Sequence, residues 1–168
     1  MKFETLEDLL IQEIKDLYDA EQQLVDALPK MMEAAENPQL QEAFRTHLRE
    51  TEQQVTRLEE VFEELGVEPE GHTCKAMKGL IAEGQQMIKA KGDGDVRDAG
   101  LIGAAQRVEH YEIAAYGTAR TLAQRLGRSR AAELLQTTLD EEGATDKKLT
   151  AIAEGGINQE AAEGSWQS

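Results

Sequence analysis

Sulfur chemistry is nearly absent from this chain, which has a single cysteine, Cys74. One cysteine cannot form an intramolecular disulfide, and it cannot build a thiolate metal cluster. Proline is limited to three residues and aromatic residues to 4 %. Positive charge is also in short supply: Lys and Arg total 18 against 33 Asp and Glu, a net charge of −15. Such a surface repels phosphates, so direct binding to nucleic acid or to an anionic membrane is not expected. No apolar run is long enough to span a bilayer, and the Met1-Lys2-Phe3-Glu4 start lacks the basic and apolar regions of a signal peptide. A cytoplasmic protein is the expectation. What is present is Ala, Glu, Leu and Gln in abundance, which favours helix throughout. At 168 residues one domain with its own core is expected.

Apolar periodicity predicts an all-α chain. The first helix is expected over Thr5–Glu36, with a Leu6, Leu10, Leu17, Leu24, Leu28, Met31 stripe and a capping-box-like Thr5…Asp8 start. Pro29 should kink it, and Asn37-Pro38 should stop it. The second is expected over Pro38–Leu65, closed by Gly66. A weaker helix over Thr73–Lys91 ends at Gly92-Asp93-Gly94. Two more are expected over Val96–Leu126, closed by Gly127, and from Ser129, an N-cap candidate, to Glu154 before Gly155-Gly156. Two tight hairpins would thus be joined by a crossover of about 30 residues holding a short fifth helix. The bundle is expected to occupy residues 1–158. A polar tail, 159–168, would follow, with Trp166 as its one anchor. A shift of 91 residues superposes Glu21 on Glu112, Phe44 on Leu135, Leu48 on Leu139, Glu50 on Glu141 and Leu58 on Leu149, as two equivalent hairpins would require.

Acids interrupt the apolar stripes near mid-helix. Glu21 stands in the column Ile14, Leu28, Ala35. Glu109 falls among Ile102, Tyr116 and Ala123, and Glu112 among Ala105, Ala119 and Leu126. Glu142 lies between Leu135 and Leu149, and Asp146 between Leu139 and Ala153. On the second helix the column Leu40, His47, Gln54, Val61 is interrupted twice, with Glu50 on its flank. Antiparallel helices bring their midpoints to one height, so these acids should converge on one core layer. Several carboxylates cannot all ionise there without counter-charge. Two bridged divalent cations would supply it, and oxygen donors suit Fe or Mn better than Zn or Mg. The candidate metal ligands are Glu21, Glu50, Glu109, Glu112, Glu142 and Asp146, with His47 and Gln54 as further candidates. The competing reading is a buried acid–base network with Arg45, Arg107 or His47 and no metal.

Several stretches resemble a known family: Leu17-Tyr-Asp-Ala-Glu21, Ala27-Leu-Pro-Lys30, His47-Leu-Arg-Glu-Thr51, Val96-Arg-Asp-Ala99, Ala105 through Ala114, Leu139-Asp-Glu-Glu142 and Thr145-Asp-Lys147. From Thr5 to about Gln159 the chain is similar to the YciE/YciF-like family of ferritin-like bacterial stress proteins. That resemblance implies a ferritin-like four-helix bundle of two antiparallel hairpins, and a superfamily pattern in which carboxylates and Glu-x-x-His motifs hold a di-iron centre. The histidines of that pattern would fall at 53 and at 144 or 145, where this chain has Gln53, Ala144 and Thr145. Glu109-x-x-Glu112 resembles the acidic third-helix pair of rubrerythrins, without the Cys-x-x-Cys pairs of their electron-transfer module.

Two functions compete at this stage. One is a di-metal carboxylate protein of the stress response that reacts with oxygen or peroxide and needs an electron donor. The other is a non-enzymatic homo-oligomeric bundle, with its acids paired and an unidentified protein partner. A DNA-protecting cage is disfavoured by the charge and the absence of a basic tail, and a homodimer is the expected assembly. His47 is read first as a satisfied bundle histidine, and His110 as pointing elsewhere. Tyr18, Tyr111 and Tyr116 are read as packing residues with hydroxyls on the acids, and Cys74 as an inert small residue. No catalytic residue is assigned.

Overall fold

The computed structural model describes residues 3–164, so Trp166 and its docking lie outside the described residues. Helix α1 spans Leu6–Ala34 and starts with the full capping box: the Thr5 hydroxyl accepts from Asp8 N at 3.0 Å, and Asp8 accepts from Thr5 N at 2.8 Å. It continues through Pro29. Helix α2 spans Pro38–Leu65, with Asn37 capping its first turn and Pro38 at the position where a missing N–H costs nothing. It stops at Gly66, whose φ of +69° lets Val67 N turn back onto Phe62 O at 3.0 Å. The α1–α2 turn is fixed from outside by Asp98, which accepts from Glu36 N at 3.1 Å and Asn37 N at 2.7 Å.

Helix α3, Lys75–Ile88, is shorter than its apolar pattern suggested. Cys74 caps it, with Sγ accepting from Met77 N and its own N–H donating to Asp19 on α1 at 2.7 Å. The thiol also lies against Asp16 and the Tyr111 hydroxyl. Helix α4, Gly94–Arg125, begins two residues earlier than expected because Asp93 caps it through Asp95 N and Val96 N. Gly127, at φ +73°, closes it, with Arg128 N on Ala123 O. Helix α5, Ser129–Ile152, starts with Ser129 already helical and no side-chain cap at Arg128. The Gly155-Gly156 pair interrupts the helical path as expected, since Gly156, at φ 165° and ψ −45°, is not helical. The chain kinks there, and a further short helix, α6, covers Asn158–Gly164, of which 159–164 fall in the expected tail.

Helix α1 packs on α2 and α4 on α5. Contacts of α2 with α5 and of α1 with α4 close the ring, while α3 lies over α1 and α4. This is the ferritin-like arrangement of two antiparallel hairpins and a crossover. Two apolar clusters fill it. One includes Leu24, Leu28, Phe44, Met77, Leu101 and Leu149; the other includes Leu10, Leu17, Leu58, Phe62, Tyr116 and Leu135. Each fully buried leucine contributes about 1.5–3 kcal/mol, so together these clusters supply the main drive for folding. Along every long helix the step from one cluster to the other passes through a buried polar residue: Glu21, His47 and Gln54, Glu109 and Glu112, or Glu142. The polar layer is embedded between two apolar ones.

Candidate metal centre

Helical spacing brings these side chains to one level. Glu109 and Glu112 are three apart on α4 and share a face. Glu142 on α5 and His47 on α2 face them. Donor atoms of His47, Glu109, Glu112 and Glu142 all lie within 4.8 Å of one another, and all four residues are buried. His47 Nε2 is 3.2 Å from a Glu109 oxygen and 4.0 Å from Glu142 Oε2. Glu21, fully buried, adds a fifth acid from α1 and receives the Tyr116 hydroxyl on one oxygen.

The hydrogen-bond account of this layer does not close. Glu21 Oε2, Glu109 Oε2, both Glu112 oxygens, Glu142 Oε2, the Gln54 carbonyl oxygen and both His47 ring nitrogens are buried with no hydrogen-bond partner. His47 faces carboxylates on both ring nitrogens, Glu109 at 3.2 Å and Glu50 at 3.7 Å, without a well-aligned hydrogen bond to either. Neither expected arginine compensates the acids: Arg45 pairs with Glu42 at the surface, and Arg107 is exposed. Burial is the main cause holding the Glu21, Glu109 and Glu112 carboxyls well above their usual range, with repulsion from neighbouring acids, Glu142 in every case, adding to it. Burial also raises Glu142, though the His47 ring opposes the rise. With extra protons present, Glu21 and Glu112 are placed to share one, as are Glu109 and Glu142. Without them, the oxygens require a cation.

One oxygen of Glu142 is well held. The Gln54 side-chain amide donates to Glu142 and, at 3.0 Å, to Glu141. Arg57 grips both Glu141 oxygens at 2.9 and 3.0 Å and also donates to Thr138. This clamp was missed in the sequence. Its signal was the i, i+3 pair Gln54 and Arg57 opposite the adjacent Glu141 and Glu142. With both amide protons committed to carboxylates, the Gln54 carbonyl oxygen is left free in the layer.

The remaining candidates sit apart. Glu50 is partly exposed, 3.7 Å from His47 Nδ1, and that imidazole holds its carboxyl below the usual range. Asp146 accepts from Gln106 at 3.1 Å and lies 3.3 Å from the exposed His110. Of the tyrosines, only Tyr116 reaches a central acid: Tyr18 donates to Glu59 and Tyr111 to Asp16.

The donor set fits a metal. It offers one imidazole and several buried carboxylate oxygens without donors, from three helices, with Glu21 adding a fourth. Such a group could hold a metal ion. Fold and site together define a helical bundle with a carboxylate-rich interior. Residues 5–162 match the family described as a domain of unknown function, DUF892, and the chain belongs to that family. It is 48 % identical to protein YciF of Escherichia coli over 162 residues, covering 96 % of this chain and 98 % of YciF. The crystal structure of that E. coli stress protein superposes with a TM-score of 0.90 at 47 % identity, covering 93 % of this chain and 99 % of the other. The structure of YcfI from Rhodopseudomonas palustris matches at 0.85 with 45 % identity, over 88 % and 94 %. A Xanthomonas campestris protein, 19 % identical, shares the fold with a TM-score of 0.75 over 96 % and 99 % of the two chains. Among the described residues no helix is long and apolar enough to cross a membrane.

Proposed function

We propose that this chain is a stress-response protein built around a buried carboxylate metal centre. The observation that carries this reading is the set of buried oxygens with no donor, facing one imidazole at the middle of the bundle. His47, Glu109, Glu112 and Glu142 would hold the metal, with Glu21 extending the donor set toward a second ion. Glu50 and Asp146 are the outer carboxylates. The donor chemistry favours Fe or Mn. When bound, such ions supply the redox steps of oxygen or peroxide reduction. The protein's own part is to hold the donors on rigid helices and to keep water out with the apolar clusters on either side. Gln54 and Tyr116 each fix one carboxylate oxygen, of Glu142 and Glu21 respectively, and leave the other without a hydrogen-bond partner and open to a cation. The similarity to the E. coli stress protein supports the stress assignment.

Anaerobic titration of the metal-free chain with Fe(II) and Mn(II), read by elemental analysis, tests this. About two metals per chain are expected, as in ferritin-like centres, with loss in the Glu112→Ala/Glu142→Ala double variant. A folded chain that takes up no stoichiometric metal would overturn the proposal. It would favour the non-enzymatic reading, in which Glu21/Glu112 and Glu109/Glu142 share protons and the bundle acts through partners.

A further inference from the structure

The crossover helix α3 also walls a cavity that ends at the metal centre. The cavity measures about 40 Å³ and its walls are almost entirely carbon, from Leu24 and Met31 on α1, Leu80 and Ile81 on α3, and Ala105 and Val108 on α4. Its few polar residues divide into two sets. His47 and Glu109 are buried members of the centre, whereas Lys30 and Gln85 are exposed at the α1–α3 edge. The space therefore leads from the protein surface to two side chains that carry unpartnered buried atoms.

Size and polarity restrict what can occupy it. A water needs roughly 10–15 Å³ of such space and two to four polar partners, which only the His47 and Glu109 end supplies, whereas the aliphatic remainder of the cavity favours small apolar molecules. Peroxide, with two hydroxyls to satisfy, would likewise find partners only at that end and none along the aliphatic walls. An aliphatic chain or a ring is too large for this volume. We propose that the cavity is a binding site for a small apolar molecule of diatomic-gas size, held against His47 and Glu109 and entered beside α3. Its use in a reaction rests on the metal-centre reading; the binding itself does not.

Gly84 marks the way to test it. It is buried on α3, and a Cβ added there would stand 3.8 Å from Met31 Sδ and 3.9 Å from Ala104 Cβ. Those are ordinary contacts, so a methyl is accommodated without displacing backbone, and a larger side chain would have to enter the cavity.

The experiment uses the full metal-free chain with dissolved dioxygen as a paramagnetic probe of methyl relaxation. Methyl groups of the buried Leu24, Leu28 and Met31 are expected to relax several-fold faster under oxygen than those of the buried Leu10, Ile14 and Leu17 in the other cluster, and those of the partly buried Leu80 and Ile81 faster than those of the partly buried Ile11 and Val55. Gly84→Leu should abolish the excess, and Gly84→Ala, which also removes a helix-interior glycine, should reduce it in a chain that stays folded. Equal enhancement in the two clusters, or an excess untouched by both substitutions, would overturn the proposal. Because metal is absent throughout, a chain that fails to take up iron or manganese but shows the excess would sink the metal reading and leave this site standing.

Discussion

Tyr116 on α4 donates its hydroxyl hydrogen to Glu21 on α1, joining residues 95 positions apart inside a layer where both are fully buried. The bond satisfies one oxygen of an acid whose other oxygen has no partner. Replacing Tyr116 by Phe leaves the ring's packing in place and removes only the donor. Leaving a buried acceptor unpaired costs about 1–3 kcal/mol. Urea unfolding of the metal-free Tyr116→Phe chain should show a loss in that range with an unchanged m-value. A loss within error of zero would mean that the hydroxyl carries no part of the layer's stability.

The clamp on Glu142 should be read in metal affinity. Gln54 is held by Glu141, which Arg57 grips with two hydrogen bonds. Groups that orient a metal ligand typically contribute 10–100-fold to affinity. Gln54→Met is therefore expected to weaken Mn(II) binding by about that factor, and Arg57→Met, acting one step further out, by less. Parent-like affinity in both variants, with metal still bound, would show that Glu142 needs no positioning.

Stability should fall as pH rises. Glu21, Glu109 and Glu112 are raised well above the ordinary carboxyl range, so the folded chain keeps protons that the unfolded chain has already released. Above that ordinary range the metal-free protein loses about 1.4 kcal/mol per pH unit for each proton so retained, until the folded values are passed. Thermal unfolding from about pH 5 to pH 8 should show a declining Tm that saturating Mn(II) flattens. Glu112→Leu should flatten the decline and stabilise the metal-free chain at neutral pH, because an acid in an apolar layer is replaced by carbon. A Tm that rises with pH over this range would contradict the assignment of these acids as buried and proton-bearing.

Asp98 makes a prediction about the fold alone. It is fully buried and accepts from two backbone N–H groups at the α1–α2 turn. Asp98→Ala would orphan both, at an expected cost of about 2–3 kcal/mol in denaturant unfolding, without changing metal stoichiometry.

Much of this molecule follows from patterns local to the chain. The heptad-like stripes, the Thr5–Asp8 box, Asn37-Pro38 and the two closing glycines Gly66 and Gly127 act over a turn or two, and they place the four long helices within a few residues of where they stand. Acids set in apolar columns likewise mark their own burial, since a helix face is a matter of spacing: Glu21, Glu109, Glu112 and Glu142 are all buried. What spacing cannot carry is the partner across the bundle. Glu50 and Asp146 obey the same periodicity, yet they turn to His47 on one side and to Gln106 and His110 on the other. The Gln54–Glu141–Arg57 clamp joins residues more than 80 positions apart, and the cavity under α3 is shaped by four helices at once. The stop at Gly155-Gly156 is local and holds, whereas the short α6 beyond the kink packs against α4. The sequence by itself determined which faces are buried and that the buried faces bear acids, because periodicity and capping are short-range. Only the tertiary structure decided which acids meet, which remain without a donor and what space adjoins them, because those depend on how four helices pack side by side.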